Sequence, residues 1–296
     1  MEKKSTHNLA LLTVILAAFL GGGVSVYVKL GLRDVPPFIY TFVRFFLALI
    51  FFSPLILKTK FKINRQSLPV FLVSLLSSFN IILFSFGIRL TSASVGQLIY
   101  AVVPILAVII SYYLLKEKIT GRKIFGIFLG LAGMGLIIAL PMITKSATNI
   151  SGNLFGNILI FIGAISYTFY VVLSKKIQKK FSPIYITTAF FISTMLVSLF
   201  FSILEISSIK NLSSLFTYNS LFSLFYVSFF ATAIVYLLGQ YAIKFGTPVI
   251  SSMSLYLQPM ATVVWAFFVL GEVINGQFIV GGLLALTGAW LVSSSK

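Results

Sequence analysis

Apolar residues in this chain run in long blocks, separated by short stretches rich in polar residues, glycine or proline. The blocks fall at 9–30, 37–57, 68–88, 93–115, 123–143, 154–174, 183–204, 220–243, 247–270 and 276–293. About 20 mostly apolar residues carry a helix across the hydrocarbon core of a bilayer. The pattern therefore predicts an all-α polytopic membrane protein with ten transmembrane helices. Barrel strands would be about 10 residues long and would alternate in polarity; these blocks do neither. The longest connection, 205–219, is too short for a separate soluble domain. The first block follows Lys3 and Lys4, as a leader peptide would. Ala17, Ala18, Phe19 and Leu20 lead into more apolar sequence with no polar mature domain behind them, so a retained helix is expected. Blocks eight and nine are divided only by Lys244, Gly246 and Pro248.

Composition changes the picture in one respect. The 296 residues hold 22 Lys or Arg against 5 Asp or Glu, a net charge of +17. Such an excess can mark a nucleic-acid binder, but only 9% of residues are charged and 59% are hydrophobic. A soluble surface usually needs about 25% charged residues. The basic residues read as topology instead. With the N-terminus in the cytoplasm, 16 of them fall on the cytoplasmic side, and Arg33, Arg89, Lys145 and Lys210 make 4 on the other. That asymmetry over short loops follows the positive-inside rule. It puts both termini in the cytoplasm.

The halves of the chain echo each other. A shift of 155 residues carries Pro104 onto Pro259, Glu117 onto Glu272, Gly121 onto Gly276, Gly126 onto Gly281 and Gly133 onto Gly288. Nearer the start of each half the offset is 146, which carries Lys29 onto Lys175 and Pro37 onto Pro183. The predicted units are residues 1–146 and 147–296, with five helices each. Five is odd, so the second unit would enter the membrane in the opposite sense. Two inverted repeats around a midplane axis are a common plan for secondary transporters, whose substrates bind near the midplane at discontinuous helices.

Candidate chemistry is sparse. Cysteine is absent and His7 is the single histidine, which excludes disulfides, thiolate metal sites and histidine clusters. No GxxxxGK[ST] or HExxH string occurs. No cofactor, metal or catalytic residue is expected. Arg44 lies inside the second block, where a charge is costly and usually faces a cavity. It reads as an anion clamp, or as a structural arginine that caps helix carbonyls or snorkels outward. Lys29 reads as a snorkelling residue. Pro104 and Pro259 break helix hydrogen bonding at matched positions. Polar residues in or near the spans could line a cavity or tie helices together: Asn80, Gln97, Tyr100, Tyr167, Tyr236, Gln240 and Gln258, with Trp265 among them. Glu117 and Glu272 read as gate switches or as caps on the connection into the next helix. Gly22, within Gly21–Gly23, reads as a packing point or a bend for gating.

These motifs resemble the drug/metabolite transporter superfamily, in particular its ten-helix EamA-type members, over nearly the whole chain. The string GGGVSVYVK at 21–29 keeps the family's Gly22 and Lys29, but has Gly21 where the family has tryptophan and Val24 at a polar position. Arg44–Phe45 matches the helix-2 motif. Pro104, Leu115, Glu117, Gly126 and Gly133 match the pattern that closes a half, repeated as Pro259, Leu270, Glu272, Gly281 and Gly288. Ala233, Tyr236, Leu238, Ala242 and Ile243 match helix 8. The resemblance implies a central cavity and a carrier of small metabolites in a bacterial inner membrane, often an exporter of amino acids. Some similar carriers import or exchange solutes, including S-adenosylmethionine. The expected partners are the bilayer, a small-molecule substrate and, as one option, a coupled proton. No nucleic acid and no obligate protein partner are expected. A membrane scaffold and a lipid-modifying enzyme are the competing classes.

Overall fold

The computed structural model describes residues 13, 16–59, 61–116, 120–143, 153–208, 216–252, 254–272 and 276–294. Among them the chain forms helices joined by short links. These are α1 (Leu16–Gly31), α2 (Pro37–Lys58), α3 (Leu68–Leu90), α4 (Ala93–Leu115), α5 (Gly121–Ile143), α6 (Leu154–Ile177), α7 (Pro183–Ser202), α8 (Tyr218–Phe245), α9 (Pro248–Ser252 and Ser254–Leu270) and α10 (Gly276–Ser294). The chain is an all-α polytopic membrane protein. Six helices, namely α2, α3, α4, α6, α7 and α8, are long and apolar enough to cross a bilayer by length and composition alone.

Local sequence explains where the helices begin. Ser92, Asn153, Ser182 and Thr217 each accept a backbone N–H from the first turn that follows, which satisfies donors a helix cannot pair internally. Pro37 and Pro183 open α2 and α7 at positions where no N–H is needed. Buried hydroxyls in mid-helix bond back one turn, as Ser74 does to Val70 O and Thr194 to Phe190 O. Apolar side chains such as Phe19, Leu57 and Phe200 point outward, as lipid contact permits.

Helix neighbours follow the repeat. α2 packs on α7, α4 on α9 and α5 on α10, and α3 on α6 is matched by α8 on α1. Exchanging each helix for the one five places along leaves this set unchanged. The α5–α10 seam is the tightest. A Cβ on Gly288 would lie 2.4 Å from Gly130 N and 2.5 Å from Gly126 O, so here two backbones touch.

Several helices are interrupted. α1 loses helical form at Gly22 and Gly23. α4 passes through a 3-10 turn at Tyr100–Val102. Pro104 causes that turn: it has no N–H for Tyr100 O, which accepts Val103 N–H instead. In α8, residues Val227–Ile234 widen into a π-helix. The matched prolines were expected to break their helices alike. They do not, because Pro259 sits inside the uninterrupted Ser254–Leu270 segment.

Candidate functional site

The interrupted helices surround one cavity, about 70 Å³ in this conformation. Arg44, Asn80, Gln97, Tyr100, Tyr167, Tyr236 and Gln258 all line it, although they come from six different helices. Phe84 and Leu255 supply apolar wall, and Ser251 and Ser254 add hydroxyl-bearing residues.

Arg44 is the charged group of this site. It is 2% exposed, so it does not snorkel. Its Nε donates to Thr232 Oγ1 at 2.7 Å, and its guanidinium lies 5.2 Å from the centre of the Phe45 ring. Thr232 belongs to the π segment of α8; such segments recur at functional sites because they re-aim side chains. Among the described residues no acidic residue lines the cavity, and Lys29–Glu272 is the only salt bridge. Among the described residues the cavity lining thus presents one positive charge.

The polar wall is preorganised. Tyr100 OH donates to Asn80 Oδ1, which joins α4 to α3. Ser25 Oγ donates to Gln97 Oε1 at 2.6 Å, and Gln97 Nε2 donates to Gln258 Oε1 at 2.6 Å. That relay links α1, α4 and α9. The Tyr167 ring stands 6.3 Å from that of Tyr100 and 6.4 Å from that of Tyr236, so three tyrosines form one flank.

The remaining sequence candidates lie elsewhere. Gln240 sits behind the cavity, where its Nε2 donates to Tyr170 OH and Ser174 Oγ and its Oε1 accepts from Gln178. It joins α8 to α6. Trp265 is 41% exposed on the outer face of α9, with its ring 5.8 Å from that of Tyr27. Gly22 forms a close contact: a Cβ there would lie 2.4 Å from Ala261 Cβ, and its carbonyl accepts from Thr262 Oγ1. Glu117 lies outside the described residues.

Of the two expectations for Glu272, a gate switch or a cap on its own connection, the capping contacts are found on a distant helix. Its Oε1 accepts Ala93 N–H at 2.7 Å, and its Oε2 accepts Ser94 N–H at 3.1 Å and Ser94 Oγ at 2.8 Å. Lys29 Nζ lies 3.3 Å from Oε1 and donates to Thr91 O at 2.7 Å. Lys29 therefore points inward to a partner and does not snorkel. Two other acids do similar work at helix starts. Glu205 accepts Phe38 N–H and Ile39 N–H of α2, and Asp34 accepts from Thr217 and Ser220 of α8. Glu205 is stabilised there by N–H groups of the first turn, Asp34 by the two hydroxyls, and both by the helix dipole.

Sequence reading missed Thr232, Ser251 and Ser254. The cluster Ser251, Ser252, Ser254 ahead of Gln258 was a usable signal. Thr232 gave none, since a π segment puts it off the regular helical register.

Comparison with known proteins settles the family. Residues 8–139 and 154–294 each match the EamA-like transporter family. The chain belongs to the EamA-like transporter family. An uncharacterized transporter of Archaeoglobus fulgidus is 25% identical over 303 residues, covering 98% of both chains. The uncharacterized Bacillus subtilis transporters YoaV and YyaM are 23% and 28% identical, covering 95% and 83% of this chain. A crystal structure at 17% identity superposes with a TM-score of 0.71 over 95% of each chain, which shows the shared fold. This EamA-like transporter is accordingly a multi-pass membrane transporter and not an enzyme, with relatives in bacteria and archaea.

Proposed function

We propose that this EamA-like transporter is a secondary carrier that exports a small amphipathic carboxylate, with amino acids the first class to test, by alternating access. Arg44 carries the reading: a buried guanidinium on a cavity wall with no acid opposite it among the described residues. An unpaired charge in a membrane interior costs several kcal/mol. A cargo carboxylate would offset that cost on binding, through the paired N–H donors of the guanidinium. The cargo's apolar body would rest on the Tyr100, Tyr167 and Tyr236 flank. An amino acid's ammonium would find amide oxygens at Asn80 and Gln258 and the faces of tyrosine rings.

The lining acids needed to ferry a proton are missing among the described residues. Exchange of solutes or facilitated movement therefore fits better than proton coupling. A sulfonium cargo such as S-adenosylmethionine is the second reading, because it too carries a carboxylate, and it would imply import or exchange. The basic residues put the α8–α9 turn, with Lys244 and the nearby Lys175, Lys176, Lys179 and Lys180, on the cytoplasmic side. The Glu272 end then faces outward, and the halves are inverted.

Counterflow in proteoliposomes, run over a metabolite set with and without a pH gradient, tests this. Carboxylates, amino acids included, should exchange at least about tenfold faster than their methyl esters, the loss of one charge-assisted contact. Equal rates for acid and ester would end the clamp reading. Flux that needs the pH gradient would end the uncoupled one.

A further inference from the structure

Helix α2 borders two hollows. Arg44 lines the polar cavity, while its neighbour Val43 lines a groove of about 300 Å³ between α2 and the start of α8. Every described residue of that groove is apolar. The groove exists because α2 touches α8 chiefly along the π segment Val227–Ile234, which leaves the start of α8 standing off. Ile39, Val43, Leu47 and Phe51 recur at one-turn spacing along its wall, a run of about 18 Å. That slightly exceeds the hydrocarbon depth of one leaflet, about 15 Å. Val35 and Leu224 are buried in the floor, and Leu221 and Phe225 are exposed on the rim. Phe51 narrows the far end, with its ring 6.0 Å from that of Phe225 and 5.1 Å from that of Phe229.

Polar groups fix the depth of the mouth. At the Val35 end, Asp34 accepts from Thr217 and Ser220, and Glu205 accepts the N–H groups of Phe38 and Ile39. Tyr218, next to Thr217, is exposed. Carboxylates and an exposed tyrosine belong at the headgroup level of a membrane protein. The groove therefore starts at the interface and descends into hydrocarbon. Its rim is continuous with lipid-facing surface at Phe46, Ile50 and Phe222, all exposed. Water would find no polar partners among the described walls, and apolar hollows stay dry. Left empty, the groove would forfeit dispersion contacts along its whole length.

We propose that the groove holds one acyl chain of a phospholipid from the leaflet at the Asp34 end, as a bound lipid that completes the packing of α2 on α8. The length, the apolar walls and the open rim fit a hydrocarbon chain whose headgroup stays at the interface. A carboxylate cargo does not fit, because nothing polar lines the groove among the described residues. The site depends on neither the cargo nor the direction of transport.

Native mass spectrometry of the protein released from phospholipid nanodiscs tests this. The parent should keep one phospholipid under activation that strips the others. Leu221→Trp fills the rim and Val43→Phe fills the wall; each should cut that retention by about tenfold, through lost chain contacts. Ile50→Trp, exposed on α2 outside the groove, should leave retention unchanged. In lipid-free detergent, added phospholipid should raise the unfolding temperature of the parent to a plateau. It should raise that of Leu221→Trp much less. The two filling variants lie on different helices, so poor folding of one leaves the other as the test. Equal retention and equal stabilisation in the parent and the filling variants would overturn the site. A dimer of the parent that Leu221→Trp separates would give the groove to a second copy and overturn it likewise. Neither readout measures flux, so failure here leaves the Arg44 clamp standing, and failure of the clamp leaves the lipid site standing.

Discussion

Replacing Arg44 with methionine should cut carboxylate flux by about 100-fold or more while leaving the fold as stable as before, or more stable. The guanidinium would give its cargo two charge-assisted hydrogen bonds, each worth about 1.5–3 kcal/mol. The fold gains little from it. Among the described residues no buried acid would be stranded by its loss, so the penalty of about 3–5 kcal/mol for breaking a buried ion pair does not arise. The one partner that loses a bond is Thr232 Oγ1. Replacing an isolated buried cation with an apolar side chain of similar length is often neutral or stabilising. Arg44→Lys should fall between, since an ammonium keeps the charge but not the planar fork. Counterflow in reconstituted vesicles, beside thermal unfolding in detergent, separates the two effects. Undiminished flux in Arg44→Met would remove Arg44 from the permeation path. Lost flux with a matching loss of stability would make it a structural residue.

Gly288→Leu should do the reverse, lowering stability whatever the cargo. The added Cβ would meet backbone atoms of Gly130 and Gly126 at 2.4–2.7 Å. Backbone in a helix cannot step aside as a side chain can, so α5 and α10 must part along their seam. A destabilisation of about 3 kcal/mol is expected, at the upper end for overpacking. Gly282→Ala on the same helix is the control. Its Cβ would meet only Leu98 Cδ2, at 3.2 Å, and that flexible end can rotate. Thermal unfolding and yield after solubilisation provide the measurement. Equal behaviour of the two variants would show that the seam is not a packing constraint.

The helical architecture was legible because each span is long and apolar enough to identify itself, and because Pro, Glu and Gly recur in one register. The cavity was legible to a similar degree. A polar side chain inside lipid must find a partner or a cavity, so Asn80, Gln97, Tyr100, Tyr167, Tyr236 and Gln258 could be selected from composition alone. Gln240 passes the same test and sits elsewhere, because Tyr170, Ser174 and Gln178 satisfy it locally. Trp265 lies on the outer face of α9, because an indole is apolar enough to face outward. The role of Glu272 was hidden since its partners stand 178 and 179 residues away. Sequence spacing says nothing about a cap supplied from so far along the chain. The π segment in α8 likewise moved Thr232 out of the register from which its meeting with Arg44 might be computed.

The burial of Arg44 has an electrical consequence. In a carrier that alternates as proposed, most of the membrane voltage falls across whichever gate is shut. Arg44 then stands near the cytoplasmic potential in one state and near the external potential in the other, though it scarcely moves. One elementary charge is worth about 2.3 kcal/mol per 100 mV. A negative interior would hold the empty carrier open to the cytoplasm, and a bound monoanion would cancel that pull. With a monoanionic cargo the voltage would thus act on the unloaded protein and spare the loaded one, whereas a zwitterionic amino acid would leave the pull on Arg44 in place.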